Sequence, residues 1–112
     1  MDSNCNYIFI TKDKIKQLLW ILLDIQINCS NYKYHYCQSE LSNNLIDYII
    51  RSINDFVYII RDEKYNIGFT IYTLPSFIAR NLEQLEECNG ENEIITKIGN
   101  LLNKFIELLY YY

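Results

Sequence analysis

The only histidine of the chain, His35, lies between two cysteines, Cys29 and Cys37, in the spacing C-x5-H-x-C. Histidine nitrogen and cysteine thiolate are ligands that structural zinc prefers, and Cys5 or Cys88 would complete a tetrahedral set. Structural zinc sites usually use tighter paired spacings than this one. The sequence therefore favours a solvent-exposed histidine and half-buried thiols over a bound metal ion.

Motifs for catalysis are absent from the sequence. There is no GxSxG, no GxxxxGK[ST] and no HExxH, so neither a catalytic triad nor a phosphate loop nor a helical zinc site can be drawn. Glu83, Glu86 and Glu87 suggest paired carboxylates, but a charged run near the end of a helix is usually a solvated face. We therefore expect a protein that is not an enzyme and that holds no cofactor.

Composition indicates a single all-helical domain. The chain has 112 residues, of which 50% are hydrophobic and 21% are charged, so it is too apolar for disorder and long enough for one core. Three glycines and one proline offer little material for the turns of an all-β fold. The net charge is −4 and the ten basic residues are scattered, which excludes the electrostatic attraction that drives nucleic-acid binding.

The cysteines and the apolar runs bear on the compartment. The four cysteines form no CxxC pair, and no N-terminal stretch has the basic, apolar and small-residue order of a signal peptide. Both observations favour a reduced cytosolic chain with free thiols over a disulfide scaffold. The longest apolar run, residues 18–23, ends at Asp24 and is far shorter than the roughly 18 residues that a membrane span needs. We expect no membrane anchor.

Apolar residues recur at helical spacing, and the first predicted helix begins after a Thr11 cap. One face of this helix carries Ile15, Leu18, Leu19, Leu22 and Gln26. Trp20, Leu23 and Ile27 add an apolar surface on another side. A helix that is apolar around most of its circumference is either central or covered by a partner chain, and both alternatives stay open. Residues 30–38 lack a helical period, and a loop is predicted there.

The second predicted helix is capped by Ser42 or Asn43. Its shared apolar face is Leu45, Ile49, Ile53, Phe56 and Ile60. Two poor helix formers adjoin at Asn54 and Asp55, so this stretch is either one helix or two short helices that meet there.

The third predicted helix begins at an Asn66 cap, contains Pro75 and ends at Asn89–Gly90. Its apolar stripe is Ile67, Ile71, Leu74, Ile78, Leu82 and Leu85. The last helix runs from about Asn92 to Tyr110. One face of it carries Ile94, Ile98, Leu101, Phe105 and Leu108, beside Ile95, Leu102, Ile106 and Leu109.

The stretch FVYIIRDEKYNIGFTIYTLPSFIARNLEQLEECNG, followed by ENEIITKIGNLLNKFIELL, resembles the central hairpin of the Bcl-2 family. In that family a helix and an acidic turn precede an N-W-G-R motif at the head of a buried hydrophobic helix. Asn66 and Gly68 match this motif, whereas Ile67 replaces its Trp and Phe69 replaces its Arg. The short chain and the degraded motif are most similar to the poxvirus Bcl-2-like proteins.

The resemblance implies a compact all-helical bundle around a buried central helix at about residues 66–88. It also implies a non-enzymatic viral host-defence antagonist in the host cell cytoplasm, which inhibits either apoptosis or innate NF-κB signalling. The implied partner is a host protein, either a pro-apoptotic helix or an innate signalling adaptor. Because Phe69 replaces the Arg that pairs with an Asp of pro-apoptotic helices, Arg61 or Arg80 would have to supply that charge.

Two partner surfaces follow from these expectations. A groove for a partner helix would be formed by Ile53, Phe56, Val57, Ile60, Arg61, Asn66, Gly68, Phe69, Ile71 and Leu74. A dimer face would be formed by the extra apolar residues of the first and last helices, Trp20, Leu23, Ile27, Leu102, Ile106 and Leu109. Such a face would make a two-fold homodimer, unless the bundle simply buries it.

An unrelated helical bundle is the alternative to the Bcl-2-like fold. Small acidic inhibitors, such as phage proteins that block a host nuclease, and subunits of larger assemblies share the same composition. A groove about one helix wide beside residues 53–74 would favour the helix-binding protein. A compact bundle with a broad acidic face would favour the nuclease inhibitor.

Overall fold

Four helices make up the part of the chain that the structure describes. A computed structural model describes residues 12–37, 39–62 and 67–111, without the side chains of residues 59–62, 67–72 and 111. The helices are α1 (Lys12–Tyr36), α2 (Glu40–Asp62), α3 (Ile67–Asn89) and α4 (Glu93–Tyr111). The all-helical bundle that composition and periodicity predict is confirmed.

Each helix turns a heptad stripe toward one shared core. Buried residues alternate at spacings of three and four in α1 and α4, which is typical of helices that pack side by side at a small crossing angle. In α1 these residues are Leu18, Leu22, Ile25, Cys29 and Tyr32, and in α4 they are Ile95, Ile98, Leu102, Phe105 and Leu109. In α2 and α3 the buried set includes Ile46, Ile49, Ile53, Phe56, Leu74, Ile78 and Leu85.

The connections between the helices are short, so consecutive helices run antiparallel. The most extensive helix–helix contacts join α1 to α4 and α2 to α3. The contact between α1 and α2 is less extensive, and the contact between α3 and α4 is the least extensive of the four. The molecule measures 49 × 23 × 22 Å. A helix of α1's length is about 37 Å long, so these dimensions fit four helices aligned along one axis.

Side chains cap the starts of α2 and α4. The Oγ of Ser39 accepts a hydrogen bond from the Ser42 N–H at 3.1 Å, and the Ser39 N–H donates to the Ser42 Oγ at 3.4 Å. This reciprocal pair has the form of a capping box, with serine in the place of the usual Glu or Gln. Asn92 caps α4, because its Oδ1 accepts a hydrogen bond from the Ile94 N–H at 2.7 Å.

The end of α3 is as predicted from Asn89–Gly90. Gly90 has a φ of 81° and its N–H donates to the Glu86 carbonyl at 2.8 Å, which closes the helix with a left-handed residue. No atom lies within 4 Å of the place where a Cβ would be added. The glycine is therefore required for its backbone conformation and not for space.

The structure corrects the prediction for α1 in length and in register. Residues 30–36, predicted as a loop, are helical. The predicted stripe contains Leu18 and Leu22, which are buried, but the buried stripe continues through Ile25 and Cys29 instead of Gln26. Leu19 is only partly buried. The helix is therefore rotated relative to the predicted face.

A tertiary contact explains why the tyrosine-rich end of α1 is helical. Tyr32 is completely buried, and its hydroxyl accepts a hydrogen bond from the Asn89 Nδ2 at 2.9 Å. This contact joins the last turns of α1 and α3. Packing against other helices outweighs the weak local helix signal of this segment.

The predictions for α2, α3 and α4 agree better with the structure. α2 is one helix, and it begins after Ser39, three residues before the predicted Ser42 cap. The predicted core faces are confirmed for Leu45, Ile49, Ile53, Phe56, Leu74, Ile78, Leu82 and Leu85. The side chains of Ile60, Ile67 and Ile71, and all of Asn66, lie outside the described residues. In α4 the buried stripe includes Ile95 and Leu102, whereas the predicted Ile94, Leu101 and Leu108 are only partly buried.

The described side chains of α3 do not form a fully buried central helix. Residues 73–89 have an exposed side that includes Phe77, Arg80 and Glu83, opposite the buried Ile78 and Leu85. This half of α3 is therefore one of four helices around a shared core. The arrangement differs from the buried central helix that the resemblance implied, because each helix of a four-helix bundle keeps one face in solvent.

Candidate functional site

α1 carries a second apolar stripe on the side away from the core. Trp20, Leu23, Ile27 and Tyr34 are 71%, 41%, 59% and 86% exposed. Trp20, Ile27 and Tyr34 are each seven residues apart, so they lie on one line along the helix. We call these four residues the outer stripe.

Polar contacts with α2 help to hold the outer stripe toward solvent. The Lys33 Nζ donates to the Asp47 Oδ1 at 2.7 Å, and the Gln26 Nε2 donates to the Asn54 Oδ1. Lys33 and Gln26 are seven residues apart and lie between the core stripe and the outer stripe. They therefore fix the rotation of α1 about its own axis.

A shallow depression lies beside Trp20. Its volume is about 210 Å³, and it is lined by Lys16, Leu19, Trp20 and Leu23. The lining is apolar apart from the Lys16 side chain. A cavity of about 150 Å³ is large enough for benzene, so the depression has room for one aromatic side chain.

The predicted groove residues are part of the core where the structure describes them. Ile53, Phe56 and Leu74 are at most 5% exposed, and Val57 is partly buried against them. Their surfaces are already covered by the bundle itself. The remaining predicted groove residues, Ile60, Arg61, Asn66, Gly68, Phe69 and Ile71, lie outside the described residues or lack described side chains.

The predicted dimer face is divided between surface and core. Trp20, Leu23 and Ile27 are exposed and belong to the outer stripe, whereas Leu102 and Leu109 are 4% and 6% exposed and lie in the core. Ile106 is partly buried against the core. The sequence prediction missed Tyr34, because this residue fell in the stretch that was expected to be a loop. Its spacing of seven residues from Ile27 is the signal that could have found it.

Among the described residues, Cys29, His35, Cys37 and Cys88 do not assemble a metal site, and Cys5 lies outside the described residues. Cys29 is buried, His35 is exposed and Cys37 is intermediate, and the described residues contain no group of three or more potential metal ligands. Burial raises the pKa of the Cys29 thiol to about 12, and the nearby Cys37 adds to this shift. Burial also raises the pKa of Cys37, although the hydrogen bond to Ser42 opposes it. Protonated thiols are poor ligands and poor nucleophiles.

Glu83, Glu86 and Glu87 are all exposed, which agrees with the prediction of a solvated face.

Comparison with protein-family models, with curated proteins and with solved structures finds no match for this chain. In the described part of the chain, none of the helices is long and apolar enough to cross a membrane. Among the described features, the outer stripe of α1 is the surface suited to contact another molecule.

Proposed function

We propose that the chain is a non-enzymatic protein-binding module that docks onto another polypeptide through the outer stripe of α1. The exposure of Trp20, Leu23, Ile27 and Tyr34 on one line of the helix carries this proposal. Single exposed apolar residues are ordinary, but an aligned set is typical of an interaction site. Tryptophan and tyrosine are also enriched among the residues that dominate binding energy at interfaces.

The outer stripe has the form of a helix-docking surface. Its residues follow the i, i+3, i+7 spacing by which one helix packs on another. Burying apolar surface contributes about 25 cal/mol per Å², and two aromatic side chains with 71% and 86% exposure supply much of that surface. Within the described bundle, Trp20, Ile27 and Tyr34 remain mostly exposed, so docking would remove their apolar surface from water.

Co-purification with matched variants tests this proposal. Ile27→Lys places a charge in the middle of the stripe, whereas Tyr58→Lys changes a 75% exposed residue on α2 and serves as the control. Tagged wild-type protein and Tyr58→Lys should retain the same polypeptides from the source cell, including an untagged copy of the chain if it binds itself. Ile27→Lys should lose them. Equal retention by all three proteins would refute the docking role of the stripe.

Within this class, the more specific proposal is a viral Bcl-2-like host-defence antagonist, which rests on the sequence resemblance alone. A pro-apoptotic helix would insert where Ile53, Phe56 and Leu74 fill the core, so this version requires α2 and α3 to separate. Isothermal titration against a panel of pro-apoptotic helices tests it. Heat at micromolar concentration would support groove binding, and no heat with any peptide would remove the apoptosis version.

A further inference from the structure

We propose that the polypeptide on the outer stripe is a second copy of this chain. The two copies would be related by a two-fold axis beside Ile27, with their α1 helices antiparallel. This inference rests on the proposed docking role of the stripe and names its occupant.

Three of the four outer-stripe residues are evenly spaced about Ile27, whereas Leu23 has the polar Asn31 as its counterpart. Ile27 lies seven residues after Trp20 and seven residues before Tyr34, so an apolar residue is flanked by an aromatic ring at each end. Reversing the direction of the helix leaves the order of these three positions, aromatic, apolar and aromatic, unchanged. A two-fold axis beside Ile27 therefore puts Ile27 against Ile27 of the second copy, and Trp20 against Tyr34 of the second copy.

The depression beside Trp20 provides a receptor for the partner ring. In the antiparallel arrangement, Tyr34 of the second copy arrives at Trp20, next to the depression of about 210 Å³. Tyr34 is 86% exposed, and its ring lies edge-on to His35 with 5.1 Å between the ring centroids, so most of its surface is available for insertion. Lys16 also lines the depression, and its aliphatic stem adds to the apolar surface that the inserted ring would contact. Two such insertions occur, one at each end of the interface.

Charge favours the antiparallel direction over the parallel one. Between residues 20 and 34, α1 has one acidic residue, Asp24, and one basic residue, Lys33, which is paired with Asp47 of its own chain. A parallel pair would place Asp24 beside Asp24 of the second copy, which is repulsive. In the antiparallel pair, Asp24 faces Ser30 of the second copy. The stripe therefore avoids self-repulsion although the whole chain has a net charge of −4.

The available area fits a reversible dimer. At 71% and 86% exposure, Trp20 and Tyr34 together offer on the order of 300 Å² per copy. With Leu23 and Ile27, and with both copies counted, the interface would bury about 1,000 Å², which is near the lower limit for specific interfaces. We therefore expect self-association that depends on protein concentration.

Light scattering and sedimentation of the purified chain test the dimer. Wild-type protein at about 0.1 mM should approach twice the monomer mass of 13.5 kDa and should dissociate on dilution. Tyr58→Lys should behave in the same way, and Ile27→Lys should stay monomeric because two ammonium groups would meet at the axis. A monomeric wild type would overturn the second copy as occupant, while the co-purification test of the stripe itself would be unaffected.

A charge-pair experiment tests the position of the axis. Ile27→Lys and Ile27→Asp should each be monomeric alone, and a mixture of the two should form a 1:1 dimer, since opposite charges then meet at the axis. Folding of both variants is checked by circular dichroism and is expected to match wild type, because Ile27 is exposed. If wild type dimerises but the mixture of Ile27→Lys and Ile27→Asp stays monomeric, the proposed position of the axis is wrong.

Discussion

The core face and the outer face of α1 contain the same kinds of residue in opposite environments. Leu22 is completely buried and its neighbour Leu23 is 41% exposed. Tyr32 is completely buried, whereas Tyr34, two residues later, is 86% exposed. Residue type therefore does not decide burial in this helix. The position of a residue in the repeat shared with α2, α3 and α4 decides it, because only one stripe of each helix can face a common core.

The sharpest difference between the two faces is expected for the neighbouring leucines. Leu22→Ala should lower the free energy of unfolding by about 2–5 kcal/mol, because it removes buried methyl groups and leaves a cavity. Leu23→Ala should change it by no more than about 0.5 kcal/mol in the monomer. Urea denaturation at low protein concentration measures both. Similar losses in the two variants would show that the assigned rotation of α1 is wrong.

The Cys29 thiol should give the core face a pH dependence. Burial raises its pKa to about 12 from an ordinary value of 9.0. Below pH 9 the thiol is protonated in both the folded and the unfolded chain, and its contribution to stability is complete. As the pH rises from 9 toward 12, the unfolded chain ionises first, so this contribution is lost by up to about 1.4 kcal/mol per pH unit.

Two cysteine variants separate this effect from other titrations. The free energy of unfolding of wild type should fall more steeply between pH 8 and about 10.5 than that of Cys29→Ala, by about 2 kcal/mol over the range. Cys88→Ala, which removes an exposed thiol, is the matched control for the change from cysteine to alanine. Parallel pH profiles for wild type and Cys29→Ala would contradict the buried, neutral thiol.

The two tyrosines offer a smaller test of the same contrast. Tyr32→Phe removes the hydroxyl that accepts a hydrogen bond from Asn89, and we expect a loss of about 1 kcal/mol of stability. Tyr34→Phe removes an exposed hydroxyl and should be neutral within about 0.5 kcal/mol. Thermal or chemical unfolding of the two variants provides the comparison. Equal stability of Tyr32→Phe and Tyr34→Phe would argue against the contact between α1 and α3.

The smallest effect is expected at the boundary between the two faces. Lys33 and Asp47 form an ion pair at 2.7 Å, with side chains 44% and 35% exposed. Such a partly exposed pair contributes about 0.2–1 kcal/mol. A double-mutant cycle with Lys33→Ala and Asp47→Ala should give a coupling energy in this range that decreases at high salt. A coupling energy of zero at low salt would mean that this pair does not help to orient α1.

The sequence predicted the core-facing residues best in helices that have one dominant apolar face. In α2 the predicted residues Leu45, Ile49, Ile53 and Phe56 are all in the core, and the exposed side combines polar residues with Leu41, Tyr48 and Tyr58. The end of α3 was also predictable, because Gly90 supplies a specific backbone conformation. In these two places the apolar spacing and the type of the capping residue were sufficient to predict the structure.

The same reasoning failed in α1 because this helix is apolar on two sides. The stripe through Gln26 and the stripe through Ile25 fit the sequence about equally well, and only packing against the other helices separates them. The helical conformation near Tyr32 depends on Asn89, which is far away in sequence. Tyr34 was missed as a surface residue for the same reason. The sequence assigned Ile53, Phe56 and Leu74 both to the apolar faces of their helices and to a partner groove, and in the structure the bundle itself buries them.

The extensive contact between α1 and α4 has a consequence for how the chain is made. α1 is synthesised before α4, so the core face of α1 has only part of its cover until α4 has emerged. During this interval both sides of α1 present leucine, isoleucine and aromatic side chains to the cell. Incomplete chains with exposed apolar surface aggregate or recruit chaperones. Nascent chains that stop before residue 93 should therefore be held by the cell's folding machinery, whereas chains that include α4 cover the core face of α1 and leave its outer stripe exposed.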